Sequence, residues 1–363
     1  MFVNSYLIDL KNKIEGNFIF HCVMGNEASD LDSMATSVAY AYFLSRTKQK
    51  AGEFYLPLIN IPRADFRLRT EAVYLFEKTG IDIKNLIFID QISLAALRDR
   101  GSLKLTLIDH NKLASSQEKF EDTVEEIVDH HKDEGLYTPS EGRTIGPVGS
   151  AATLVAEKML NLDTTPPDPT IAELLLGTIL LDTVNLDPQA QRVTPKDEAV
   201  ASQLFEITGA DQNELFNKLQ AEKFNTSALD TADLLRKDYK EWQLGAVKLG
   251  ISSVSLPVRE WLNKDPGILG EFSKYSQSRK LDILLAMNAY TDPAFERELV
   301  VFSADDQLKE KTVSFLLDLR IGLETIDAGM VKGAGKNIAF FSQGDLSKSR
   351  KKLQPLLNEY FSS

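Results

Sequence analysis

The sequence predicts an α/β protein: a parallel sheet with helices on both faces in the first half, then a smaller α/β domain. Two observations carry that prediction. Over residues 18–131, short apolar runs alternate with amphipathic stretches, the strand–helix–strand pattern of a parallel sheet. The chain of 363 residues is also 43% apolar, which allows a sizeable core and more than one domain.

Taken in order, the runs at 18–24 (FIFHCVM), 53–60, 85–90, 103–109 and 125–131 read as strands. Residues 33–46, 67–79 and 91–99 space their apolar side chains as helices do. A helix is expected over 147–160. The segment 170–182 (TIAELLLGTILLD) is apolar on every side and reads as a buried helix. After a polar connection at 187–197, helix continues to about Phe205. The polar stretch beyond it places a linker at 207–212, between a first domain of 1–206 and a second of 213–363. Helices at 212–222, 227–241 and 308–320, strands at 246–254, 281–290, 297–303 and 338–341, and a helix at 346–360 complete the expectation.

With 41 basic and 53 acidic side chains, the net charge of −12 argues against a nucleic-acid-binding surface. The one cysteine, Cys22, excludes an internal disulfide and a multi-cysteine zinc site. No run approaches the ~20 apolar residues of a membrane span. The N-terminal segment carries Asp9 and Glu15 and lacks the pattern of a signal peptide. The expectation is a soluble, cytoplasmic monomer with neither nucleic-acid nor membrane partner.

Three of the four histidines fall in two similar tripeptides, Asp109-His110-Asn111 and Asp129-His130-His131, each after an apolar run. Asp30 and Asp32 also follow an apolar run, and residues two apart in extended chain point to one side. Ligands of open parallel sheets bind at the strands' carboxyl ends, where all these residues should lie. Carboxylates and imidazoles together suit Mn²⁺ or Mg²⁺, with Zn²⁺ or Co²⁺ as alternatives. Asp182 closes an apolar helix, where the dipole disfavours an acid unless a cation is near. Gly149 and Ser150 precede a helix whose N-terminus would favour an anion.

Four segments, GNEASDLDS (25–33), IDHN (108–111), VDHH (128–131) and GTILLDT (177–183), resemble in order the acidic motifs of the DHH phosphoesterase superfamily. The first has the form of the eukaryotic exopolyphosphatase and prune branch. Residues 234–254 and 347–357 (SKSRKKLQPLL) resemble the phosphate-gripping elements of a DHHA2 domain. The resemblance implies removal of terminal orthophosphate from linear polyphosphate, in a cleft between a DHH and a DHHA2 domain. Pyrophosphate or small phosphodiester hydrolysis on the same scaffold, and a prune-like interaction role, are the alternatives.

The resemblance further implies two divalent cations, Mg²⁺ or Mn²⁺ with Co²⁺ as an alternative. Asp109 would bridge them, Asp30 would serve one, and Asp32, His130 and Asp182 the other. Asn26 stands where pyrophosphatase relatives carry a histidine ligand, so its part would be weak or indirect. Catalysis would rest on Asp109 and on His131, which faces the substrate phosphate. Lys240, Arg350 and Lys351 would grip the substrate. The segment VKGAGKN (331–337) lacks phosphate-loop spacing, but Lys332 and Lys336 suit contact with a long polyphosphate. Arg63, Arg67 and Arg69 are further basic residues that serve either substrate or surface.

Overall fold

The computed structural model describes residues 2–162, 167–291, 294–327 and 336–362. The chain forms two compact units, Met1–Phe224 and Asn225–Ser363.

The first unit is built on β1 (Ile19–Met24), β2 (Glu53–Leu58), β3 (Leu103–Ile108), β4 (Val124–Asp129) and β5 (Gly142–Ile145). Their order is β2-β1-β3-β4-β5, and every pair is parallel. Strands covered on both faces read as continuous apolar runs, as IFHCVM and LKLTLI do. Helix Leu31–Thr47 starts where Asp30 caps it, accepting from the Ser33 N–H, and packs along β1 and β2. Gly25 allows that sharp return: a Cβ there would sit 2.5 Å from the Ser33 Cβ. Phe20, Met24, Met34, Leu44 and Leu56 are fully buried in this core.

Three sequence expectations change in this unit. Residues 85–90 form no ladder strand; two 3-10 turns, Ile83–Asn85 and Ile89–Gln91, bracket a single bridge between Ile59 and Phe88. Leu86, Ile87 and Phe88 are buried, so the apolar run is core material held by a turn-rich segment. The helix expected at 67–79 is two pieces, Arg63–Phe66 and Thr70–Lys78. The residues proposed as a linker lie inside the unit. Helix Pro195–Thr208 ends on left-handed Gly209, and helix Gln212–Phe224 packs back through Leu215 and Leu219. The polar stretch is therefore a helix–helix connection.

The second unit carries β6 (Tyr239–Leu244), β7 (Val247–Val254), β8 (Ile283–Tyr290), β9 (Glu296–Phe302), β10 (Leu323–Thr325) and β11 (Ile338–Gln343). The order is β10-β11-β9-β8-β7-β6, with β7 and β8 parallel and the other pairs antiparallel. Leu249, Ile251, Leu285, Val301, Leu316, Leu353 and Leu357 form one of its cores. The helix expected over 227–241 spans only Thr231–Lys237, and the chain then turns into β6. Lys240 therefore stands on a strand, in a hairpin closed at Gly245, whose φ of 56° suits glycine. The last helix begins at Arg350, four residues later than expected. Among the described residues, no helix is long and apolar enough to cross a membrane.

Candidate metal centre

Asp109 sits immediately after β3 with a φ of 60°, a left-handed conformation that aspartate tolerates better than most residues. Its N–H donates to the Val128 carbonyl at 2.9 Å, and the residue is 2% exposed. The two carboxylate oxygens have different surroundings. Oδ2 accepts from the Ser33 hydroxyl at 2.7 Å and the Asn26 amide at 2.8 Å. Oδ1 lies 3.2 Å from His130 Nε2 and 3.7 Å from His131 Nδ1.

The acceptor beside each histidine's Nδ1 fixes its tautomer. His130 Nδ1 lies 2.9 Å from the Val148 carbonyl, which only accepts, so Nδ1 carries the proton and Nε2 can serve as a ligand. His131 Nδ1 donates to Asp129 Oδ1 at 2.8 Å, leaving its own Nε2 available. Asp129 is fully buried and also accepts from the backbone N–H of His130 and from the Asn111 amide. It braces the tripeptide.

Asp32 lies 3.8 Å from His130 Nε2 through Oδ2. The same carboxylate accepts from the N–H groups of Ala151 at 2.6 Å and Ala152 at 2.9 Å. The anion expected at the N-terminus of helix Ala151–Leu160 is thus the protein's own Asp32. Asp182 ends helix Pro169–Asp182, and its buried Oδ2 has no hydrogen-bond partner among the described residues. Asp30, Asp32, Asp109, His130, His131 and Asp182 line one cavity of about 360 Å³, together with Val148, Gly149 and Arg192.

Burial, with the charges of Asp109 and Asp182, holds the Asp32 carboxyl well above its usual range. Burial pushes Asp182 up to about 7. For His130, burial favours the neutral ring, but the hydrogen bonds to Asp109 and Val148 outweigh it and raise the imidazole to about 9. The hydrogen bond to Asp129 raises His131. Clustered acids that resist ionisation, an orphaned buried oxygen and an imidazole lone pair fit a divalent cation. Ligand atoms of Asp109, His130 and His131 lie within 4.8 Å of one another. The donors are oxygen and nitrogen without sulfur, as harder dications prefer.

Other residues singled out from sequence take different places. The Asn26 oxygen accepts from the N–H groups of Ala28 and Ser29, so Asn26 reaches the centre through its amide bond to Asp109. His110 donates from Nδ1 to the Ile108 carbonyl and does not line the cavity. Arg63 binds the carbonyls of Lys84 and Leu86, and Arg69 braces those of Ala28 and Ser29. In the second unit, Arg350 donates to the Asp238 carbonyl at 2.7 Å and to its Oδ1 at 2.6 Å. Lys240, Lys351 and Lys336 are exposed, while Lys332 lies outside the described residues. Sequence reading missed Ser33 and Arg192, and it placed Asp129 on the shared sheet edge without its bracing role. A hydroxyl three residues after a capping aspartate was the available signal for the first of these.

Two family models match the chain, the N-terminal domain of the DHH family over residues 21–179 and the DHHA2 domain over 217–360. The chain is 33% identical over 367 residues to exopolyphosphatase PRUNE1 of Rattus norvegicus, covering 99% of this chain and 80% of that protein. It is 34% identical over 367 residues to the Homo sapiens PRUNE1, with the same shares covered. It is 25% identical over 340 residues to the manganese-dependent inorganic pyrophosphatase of Methanothrix thermoacetophila, covering 92% of this chain and 96% of that one.

Proposed function

Because the chain belongs to the DHH phosphoesterase family, in the two-domain DHH–DHHA2 form of its exopolyphosphatase branch, we propose that it hydrolyses phosphoanhydride bonds and releases terminal orthophosphate from linear polyphosphate. The observation that carries the proposal is the convergence of Asp109, His130 and His131 with three further aspartates on one cavity.

On this reading Asp30, Asp32, Asp109, His130 and Asp182 would hold two divalent cations, Mg²⁺ or Mn²⁺ with Co²⁺ as an alternative. Such a pair, when bound, supplies Lewis acidity and brings the pKa of an attacking water toward neutrality. The protein's own groups do the positioning. Ser33 and Asn26 hold one Asp109 oxygen, so that the other stays turned toward His130. His131, fixed through Asp129, would present Nε2–H to a phosphoryl oxygen in its protonated form, which the hydrogen bond to Asp129 favours. Lys240, Arg350, Lys351 and Lys336 would supply the charge that neutralises the polyanion, with Arg350 held by Asp238.

Asn26 supports polyphosphate over pyrophosphate, because its amide oxygen is spent on backbone N–H groups and gives a cation nothing to match an imidazole. The buried, unpaired Cys22 suits a reducing, cytoplasmic setting.

Orthophosphate release from pyrophosphate, tripolyphosphate and long polyphosphate, with Mg²⁺, Mn²⁺ or Co²⁺ and after chelation, tests the reading. Metal-dependent release from the two longer substrates, with little from pyrophosphate, is expected. Rapid pyrophosphate cleavage with little attack on long chains would transfer the assignment to a pyrophosphatase.

A further inference from the structure

We infer that Arg192 is a substrate-binding residue supplied by the first unit, its guanidinium taking a phosphoryl oxygen at the cavity that the acidic cluster lines. The inference rests on the proposed phosphoanhydride substrate and adds a residue that none of the sequence motifs contains.

Among the residues lining the cavity, Arg192 is the only arginine or lysine, beside four aspartates. An arginine so placed would ordinarily pair with one of them. Instead, its side chain makes no hydrogen bond or ion pair with any described residue, and it is exposed. The donor set remains free for an anion.

The loop bearing Arg192 is held rigidly. Its carbonyl oxygen packs so closely on Gly149 that a Cβ there would sit 2.4 Å away. Close to the loop lies Asp197, fully buried, with four donors and, among the described residues, no basic partner. Its carboxylate accepts from the Gly149 N–H at 2.8 and 3.0 Å, and from the Thr194 N–H and hydroxyl, each at 2.7 Å. The Thr153 hydroxyl donates to it as well. Thr194 in turn caps helix Pro195–Thr208. One buried carboxylate therefore ties the Arg192 loop to the turn at Val148–Gly149, whose Val148 carbonyl fixes the His130 ring. The base of the Arg192 side chain and the imidazole share a single rigid support, which is the preorganisation that phosphate recognition uses.

A different role, balancing the charge of the aspartates, gives the opposite outcome for the metal. Removing a balancing cation would tighten the hold of the acids on a dication. Removing a substrate ligand would leave metal affinity alone and weaken the anion. The guanidinium is also specific, since its planar fork can bind two phosphoryl oxygens where an ammonium offers a point charge.

The test compares wild type with Arg192→Ala and Arg192→Lys on three readouts. These are Mn²⁺ binding by calorimetry, orthophosphate binding to the Mn²⁺-loaded protein, and KM for tripolyphosphate with Mg²⁺. Arg192→Ala is expected to weaken orthophosphate binding and raise KM by roughly tenfold or more, the usual loss of a charge-assisted hydrogen bond. Mn²⁺ affinity and Tm should stay at wild-type values, and Arg192→Lys should recover only part of the loss. Unchanged phosphate affinity and KM would overturn the inference, as would a change in Mn²⁺ affinity or Tm matching the loss. If wild type binds orthophosphate but releases none from polyphosphate, the proposed reaction fails while the binding comparison still decides the role of Arg192.

Discussion

His130 Nε2 stands 3.2 Å from Asp109 Oδ1 and 3.8 Å from Asp32 Oδ2, one ring nitrogen facing carboxylates from two distant segments. Without a metal, this arrangement is tolerable only if protons occupy it. The imidazole, raised to about 9, keeps its proton at neutral pH, and Asp182, raised to about 7, holds a proton half the time. A dication and these protons are alternatives for the same space.

Stability of the metal-free protein should consequently fall with rising pH. The unfolded chain titrates a carboxyl near pH 3.9 and an imidazole near about 6.5. Both folded values are higher, so each group's contribution is complete below its unfolded pKa. It is lost as pH rises through about 7 for Asp182 and then about 9 for His130. With a chelator present, Tm at pH 9 should lie below Tm at pH 6. Excess Mn²⁺ should remove most of that decline, and metal binding at pH 7 should release protons. A chelated protein whose Tm is level or rising across this range would contradict the account.

Ser33→Ala removes the hydroxyl that donates to Asp109 Oδ2 and leaves the Asn26 amide donating to that oxygen. Loss of a buried hydrogen bond to a carboxylate should destabilise the protein by about 1–3 kcal/mol. Mn²⁺ affinity should fall too, because Asp109 becomes freer to rotate. Denaturant unfolding and calorimetry measure the two effects. A variant with wild-type stability and metal affinity would show that Asn26 and the backbone hold Asp109 without Ser33.

Arg350 donates to both the carbonyl and the side chain of Asp238, which aims its fork from the first turn of the last helix toward the start of β6. Asp238 is exposed, so Asp238→Ala should leave Tm nearly unchanged. KM for polyphosphate should rise several-fold with a smaller change in kcat, and Asp238→Asn, which keeps an acceptor, should recover part of it. An unaltered KM would mean that the substrate orients Arg350 by itself.

Sequence made the centre legible because its residues follow buried strands. Once FIFHCVM, LKLTLI and VEEIVD are aligned in a parallel sheet, Asp30, Asp32, Asp109 and His130 have one edge to share. Asp182 was legible as an acid at the wrong end of a helix. What stayed hidden depends on contacts between distant segments. Nothing local says that Asp32 would cap helix Ala151–Leu160, or that the Asn26 amide would bond Asp109. Periodicity cannot separate a buried turn such as residues 85–90 from a strand, since both bury consecutive apolar residues. The strand YKEWQL was masked by its charged, half-exposed edge, and the connection at 207–212 by its polarity.

Orthophosphate release from long polyphosphate by Asp109→Asn, measured beside wild type with saturating Mg²⁺, tests the central claim most directly. Asparagine keeps the shape and removes the charge, so turnover should drop by roughly a hundredfold or more, with the fold intact by circular dichroism. Full activity in that variant would contradict the assignment of the centre.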